Sequence, residues 1–237
     1  MFPIKTLLIT GENNHDWQRT APFCKKALED SGKFEVDLTE NPSNVLTDAE
    51  SLTQYQLFFL DYNGADWDEE AHLNLAERIR SGAGLIVLHA ANNSFVAWEE
   101  YEKMIGLSWR DGAGHGKFHE FEVQIVDKSH PIMLGLPNFR TMDELYHRLT
   151  NVQNVPVQVL ATAYSDPLTG GTGQHEPMII VLEYGLGRVY HHLLGHVWPG
   201  DPLGAHKGAS MIAFENEIFQ TTLLRGCEWA ATGAVSG

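Results

Sequence analysis

Cysteine is nearly absent: Cys24 and Cys227, at opposite ends of the chain, are the only two in 237 residues. They form no CxxC pair, so the chain carries neither a disulfide framework nor a cysteine-rich zinc site. Basic residues are also few, 16 Lys plus Arg against 31 Asp plus Glu, for a net charge of −15. Nucleic acids and anionic membranes both require a basic surface, which excludes them as partners. No apolar run approaches the roughly 20 residues that cross a bilayer. Met1-Phe-Pro-Ile-Lys5 leads straight into a strand pattern and does not read as a signal peptide. These features lead us to expect a soluble, cytoplasmic protein. Repeats, low-complexity tracts and linkers are missing too, which makes residues 1–237 one domain, with 43% hydrophobic residues to fill its core.

What is present is organised around Gly82-Ala-Gly-Leu-Ile-Val-Leu-His-Ala-Ala-Asn-Asn-Ser-Phe95. Leu85 to Leu88 is an unbroken apolar run, as in a strand buried on both faces of a parallel sheet. It stops at His89, and Ala90 and Ala91 leave room for a tight strand-to-loop bend that would expose a side chain above the sheet edge. Neither Ser nor Cys stands at the tip, so His89 is the reactive candidate. Before this stretch, residues 5–10, 34–38 and 57–60 read as strands. Helices are expected from Thr20 to Asp30, with Phe23, Ala27 and Leu28 on one face, and from Glu69 to Ser81, with Leu73, Ala76 and Ile79 on one face. Strands alternating with helices imply parallel βαβ units whose ligand site lies at the strand ends. Three such ends carry polar, aromatic loops: His15 with Trp17, Asp61 with Asn63 and Trp67, and His89 with Asn92 and Asn93.

Beyond about residue 115 the pattern becomes antiparallel. Residues 121–126, 155–164 and 178–184 are strand-like, and Gly185-Leu-Gly187 turns the chain into a hairpin partner over 188–194. Residues 215–231 form a last helix, with Ile218, Leu223, Leu224 and Trp229 as packing residues.

Twelve histidines are an excess, and their placement carries the argument. His196, in Leu194-Gly-His-Val-Trp198, lies at a strand terminus as His89 does. His115 and His119 have the i, i+4 spacing of a helical metal pair. Gly112, Gly114 and Gly116 argue against a helix there, and the pair is set aside. Glu144 and His147, at i, i+3, match a carboxylate–histidine metal motif in spacing, or else mark an exposed helix start. His191 and His192 are adjacent in a strand and point to opposite faces, so they are not a chelating pair.

Taken in order, His15-Asp-Trp17, Gly84-Leu-Ile-Val-Leu-His89, His130-Pro-Ile-Met-Leu-Gly-Leu-Pro137, Asp143-Glu-Leu-Tyr146, Glu183-Tyr-Gly-Leu-Gly-Arg-Val-Tyr190, Gly195-His196 and Arg225-Gly-Cys-Glu-Trp-Ala-Ala231 resemble the ThuA-like (trehalose-utilisation) family. The resemblance runs from about residue 5 to residue 233. It implies a class I glutamine amidotransferase-like fold: α/β, with a flavodoxin-like, doubly wound, mostly parallel sheet and an antiparallel extension. Amidotransferases of that superfamily carry a Cys at the elbow and a His-x-Glu later in the chain. Here His89-Ala90 and Gly195-His-Val-Trp198 stand at those positions, so thiolate-driven glutamine hydrolysis is not expected.

The family's association with trehalose and keto-sugar metabolism points to a small-molecule carbohydrate. Indole faces and Asn or Asp side chains are suited to binding one. The principal expectation is an enzyme acting on a sugar or oxidised sugar, with His89, His196 and Glu144 carrying acid–base or metal-assisted chemistry. His15, Trp17, Asp61, Asn63, Asn92, Asn93 and Trp198 are the candidate substrate contacts. The cofactor is left open, a divalent metal such as zinc being the one considered, and so is the oligomeric state. The alternative is a non-catalytic sugar-binding or partner-binding domain that kept the fold after losing the nucleophile; fold alone does not separate the two.

Overall fold

The computed structural model describes residues 2–200 and 210–236. Its first half alternates as the sequence predicts. Strand β1 (Ile4–Ile9) leads to helix α1 (Trp17–Asp30), β2 (Phe34–Thr39), the short α2 (Pro42–Leu46) and β3 (Leu57–Leu60). Helix α3 (Glu69–Arg80), β4 (Gly84–Leu88) and α4 (Glu99–Ile105) follow. The second half adds β5 (Gly114–His115), β6 (His119–Ile125), β7 (Phe139–Asp143), β8 (Tyr146–His147), β9 (Gln158–Tyr164), β10 (His175–Tyr184) and β11 (Gly187–His192). It ends with α5 (Ile212–Glu215) and α6 (Glu217–Thr232).

Nine strands join one sheet in the order β2-β1-β3-β4-β11-β10-β9-β6-β7, and β5 pairs with β8 apart from it. The first five are mutually parallel. Numbered along the chain they read 2-1-3-4-5, the flavodoxin-like order, with its switch point between β1 and β3. From β11 outward every pairing is antiparallel. This is the expected doubly wound sheet with its antiparallel extension. Strand β4 lies between two parallel neighbours, and Leu85, Ile86 and Val87 are fully buried.

Two apolar layers sandwich the sheet. Ile86, Leu88 and Tyr190 meet α1 and α6 on one face through Cys24, Leu28, Leu223 and Cys227. Leu85, Val87 and Val189 meet α3 and α4 on the other through Leu75, Ile79, Met104 and Ile105. Helix α3 places Glu69 and Glu70 in its first turn and Arg78 and Arg80 in its last, matching the helix dipole at both ends. Its buried face is Ala71, Leu75, Ala76 and Ile79, whereas Leu73 is 63% exposed. The expected face was therefore misphased at Leu73, because small alanines hide which side of a helix is packed. Asn216 starts α6 by accepting hydrogen bonds from the backbone N–H groups of Ile218 and Phe219. That helix lies so close to β4 that a Cβ on Gly84 would stand 2.5 Å from the carbonyl carbon of Ala230.

Among the described residues no helix is long and apolar enough to cross a membrane.

Candidate functional site

The parallel strands β1, β3, β4 and β11 release their loops on one edge of the sheet, and the polar residues collect there. After β4 the chain enters a 3-10 turn at His89–Asn93. His89 adopts φ +44°, a region that side-chain-bearing residues avoid and that costs of order 1–3 kcal/mol. The bend is an elbow with imidazole at its tip. After β11, Gly195 turns with φ +131°, and a Cβ there would crowd Phe214 and His89 at 3.3 and 3.4 Å. This glycine lets the two loops pass side by side and brings His196 against His89.

Three imidazoles meet at this point. His196 Nδ1 lies 3.2 Å from His15 Nε2 and 3.2 Å from His89 Nε2. All three residues are at most 5% exposed. Their outer nitrogens are each held by an acceptor. His89 Nδ1 donates to the Leu193 carbonyl at 2.7 Å, and His15 Nδ1 to Asn14 Oδ1 at 2.8 Å. His196 Nε2 makes a bent contact of 2.9 Å with Glu144 Oε2. A carbonyl and an amide oxygen can only accept, so the protons of the neutral His89 and His15 rings sit on their outer nitrogens, and the carboxylate beside His196 Nε2 favours the same tautomer there. The inner nitrogens of His15 and His89 then carry lone pairs directed at His196 Nδ1.

Surrounding groups lock this arrangement. Tyr146 stacks on His89 with ring centroids 4.0 Å apart, and Trp198 stacks on His15 at 5.3 Å. Asp143, fully buried at the end of β7, accepts hydrogen bonds from the backbone N–H groups of Gly195, His196 and Glu144. One carboxylate thereby ties the antiparallel half to the loop after β11. Burial pushes the Asp143 pKa up to about 7 against the pull of these donors. Burial, with the neighbouring imidazoles, holds His15 down to about 3 and His89 well below the usual histidine range. His196 is also lowered by burial, with Glu144 opposing. Burial raises Glu144, but His196, His115 and Trp198 outweigh it and leave its carboxyl below the ordinary range.

The cluster opens on a cavity of about 170 Å³ whose walls include His15, Asn63, Asn93, Trp109, Tyr146 and Trp198. A wider recess of about 470 Å³ adjoins it, bounded by His115, Glu144, Trp198 and Pro199. His15, Asn63, Asn93, His196 and Trp198 therefore border the first space, and Glu144 borders the second. His89 stands behind His196, within contact of it.

Three of the expected substrate contacts lie elsewhere. Asp61 is buried and accepts from Thr20 Oγ1 and Asn13 Nδ2; Asn13 Oδ1 in turn accepts from the His15 backbone N–H. It braces the His15 loop from behind. Asn92 is fully buried, its Nδ2 3.4 Å from His191 Nε2. Trp17 opens α1, half-buried, and lines neither space.

His115 and His119 do not form a helical pair, and His115 joins the site by another route. Gly114–His115 is indeed not helical, but pairing His115 with Tyr146 across β5 and β8 brings its Nδ1 to 3.1 Å from Glu144 Oε2. Trp109, Tyr146 and Asn14 were also missed as site residues. Tyr146, within Asp143-Glu-Leu-Tyr146, and Asn14, in the polar loop Gly11–Trp17 after β1, carried a sequence signal; Trp109 carried none. The Glu144/His147 helical motif does not form: Tyr146–His147 is a strand, and His147 Nδ1 faces Ser165 Oγ at 3.3 Å, away from Glu144. His191 and His192 do face opposite sides: His191 Nδ1 bonds the Ile105 carbonyl and His192 Nδ1 the Leu194 carbonyl.

Residues 5–230 match the ThuA family, described as trehalose utilisation. The chain belongs to the ThuA family. Among solved structures, a ThuA-like protein from Parabacteroides merdae ATCC 43184 is 38% identical with a TM-score of 0.87, the match covering 100% of this chain and 92% of that one. A ThuA-like protein from Bacteroides uniformis ATCC 8492 shares the fold at 17% identity and a TM-score of 0.70, over 98% and 95% of the two chains. A protein from Salmonella typhimurium LT2 described as cytoplasmic does so at 15% and 0.63, over 95% and 99%. No curated protein matches the chain. Within this ThuA-family member the elbow residue is His89, and both cysteines are fully buried in α1 and α6, on the apolar face of the sheet.

Proposed function

We propose that this ThuA-family chain is an enzyme acting on a sugar or an oxidised sugar, with acid–base or metal-assisted chemistry carried by the imidazoles and Glu144 at the edge of the parallel strands. One observation carries the reading: buried imidazoles and a carboxylate only 11% exposed converge where aromatic and amide side chains form the wall of a cavity. The indole of Trp198 offers a flat face for the C–H side of a pyranose, and Asn63 and Asn93 offer both donors and acceptors for hydroxyls. Glu144, ionised at neutral pH and touching both His115 and His196, is a base for a proton next to a sugar carbonyl. The family's description as trehalose utilisation agrees with a carbohydrate substrate.

The test is a panel of disaccharides and their keto derivatives, run with wild type, Glu144→Gln and His196→Ala. The reading expects turnover of at least one member and its loss by about 10²–10⁴-fold in both variants, with little change in melting temperature. Sugar binding without turnover anywhere on the panel would favour a binding domain instead.

A further inference from the structure

Two nitrogen–nitrogen contacts of 3.2 Å, between atoms that each carry a lone pair, are repulsive as they stand. Something positive has to lie among them. A single proton on His196 Nδ1 would satisfy that atom and direct one N–H at two acceptors. A metal ion would satisfy all three lone pairs at once.

We infer that His15 Nε2, His89 Nε2 and His196 Nδ1 are the protein ligands of a divalent transition-metal ion, of which zinc is the type. The inference deepens the function proposed above and rests on the same cluster being the working site. The geometry favours it in three ways. First, these are the one group of three potential ligands that converges among the described residues, their ligand atoms all within 4.8 Å of one another. Tetrahedral zinc with Zn–N bonds of about 2.0–2.1 Å sets its ligand nitrogens roughly 3.3 Å apart, close to the two 3.2 Å contacts seen. Second, each ligand has the outer partner that metal-bound histidines require: Leu193 carbonyl, Asn14 amide and Glu144 carboxylate. Those partners fix ring and tautomer so that the inner nitrogen is the one presented. Third, three ligands are what a reactive zinc site uses, with a remaining position for water or substrate, and this cluster opens on the cavity beside His15 and His196.

The donor set selects the metal class. Imidazole nitrogen suits zinc, copper, iron or nickel, whereas magnesium and calcium take oxygen ligands. No thiolate takes part, since both cysteines are buried in the helix-facing core.

The experiment uses the full chain, stripped with a chelator and dialysed, then titrated with zinc by calorimetry and with cobalt by visible absorption. Zinc content after gel filtration is read by elemental analysis. The expected result is one zinc per chain and the intense visible bands of four-coordinate cobalt. His89→Ala and His15→Ala should lose both signals. Asn14→Ala should weaken zinc by about 10–100-fold, the usual effect of removing an outer partner. His175→Ala, an exposed histidine on β10, is the control and should bind as wild type does. Circular dichroism checks that each variant is folded. Wild type that stays folded but takes up no stoichiometric zinc or cobalt would overturn the inference in favour of the shared proton, as would uptake unaffected by His89→Ala. Sugar turnover undiminished in fully stripped protein would also overturn the metal, while leaving the enzyme reading intact. One zinc per chain in a protein that turns over nothing on the sugar panel would support the metal and count against the enzyme reading.

Discussion

Val87 is the residue at which the architecture is most exposed to refutation. It sits in β4 with zero solvent exposure, its register partners are Leu60 on β3 and His191 on β11, and it faces the α3–α4 layer. Replacing it with Asp removes a buried side chain worth about 1.5–3 kcal/mol. The nearest polar group on that face, the His191 imidazole, is already bonded to the Ile105 carbonyl and Asn92, so the new carboxyl protonates; with a pKa raised by 3–5 units, taking up that proton at pH 7 costs about 4 kcal/mol. The sum, roughly 5–7 kcal/mol, is comparable with the whole stability of a typical domain, about 5–15 kcal/mol. Val87→Asp should therefore fail to accumulate as soluble protein. Val87→Ala removes bulk without charge and Val87→Thr adds a hydroxyl of similar shape, at about 1–3 kcal/mol. Both should fold and lose stability measurably in urea denaturation, with unchanged m-values. A soluble Val87→Asp protein that unfolds cooperatively within about 2 kcal/mol of wild type would show that β4 is not the buried centre of the sheet.

Three other expectations bear on separate parts of the molecule. Burial raises the Asp61 pKa from 3.8 to about 6, so the native state holds this proton more tightly than the unfolded chain does. Its stabilising contribution is then complete below pH 3.8 and is lost as pH rises through 6, a decline of about 3 kcal/mol at ~1.4 kcal/mol per pKa unit. Asp61→Asn should remove that decline in denaturation curves taken between pH 4 and 7.5; a wild-type-minus-variant difference that stays constant with pH would contradict it. Gly84→Ala forces α6 back from β4 and should cost about 1–3 kcal/mol by thermal unfolding, an unchanged midpoint being the contrary result. Glutamine should not be hydrolysed, because both thiols are buried and burial raises their pKa values. Ammonia release that vanishes in Cys24→Ser or Cys227→Ser would reverse this conclusion.

The parallel half was legible because its physics is local. An apolar run of the length of Leu85–Leu88, cut off by His89, has few ways to be buried, and parallel strands must deliver their following loops to the same edge. His15 and His89 could be placed together on that ground alone. The antiparallel half has no such rule. His115 reaches Glu144 only through the β5–β8 pairing, two residues per strand, which leaves no periodic signal. The same pairing explains why Glu144 and His147 part company: spacing of i, i+3 means adjacency on a helix, but this segment is extended. Asp61 and Asn92 follow the strand ends that carry the site, yet sequence could not say that their side chains turn inward to hold neighbours instead of facing the cavity. Amides and carboxylates suit a sugar and a buried hydrogen-bond network equally well. Trp17 shows the same limit, since its place at the start of α1 fixes its backbone and not the direction of its ring.

The account stands most directly on the convergence of three lone pairs at one point, and anomalous diffraction at the zinc edge reads that point. Crystals of zinc-loaded protein should give one strong peak per chain, about 2.0–2.1 Å from His15 Nε2, His89 Nε2 and His196 Nδ1. A zinc peak found only at surface histidines such as His119 or His175, with nothing between these three rings, would contradict it.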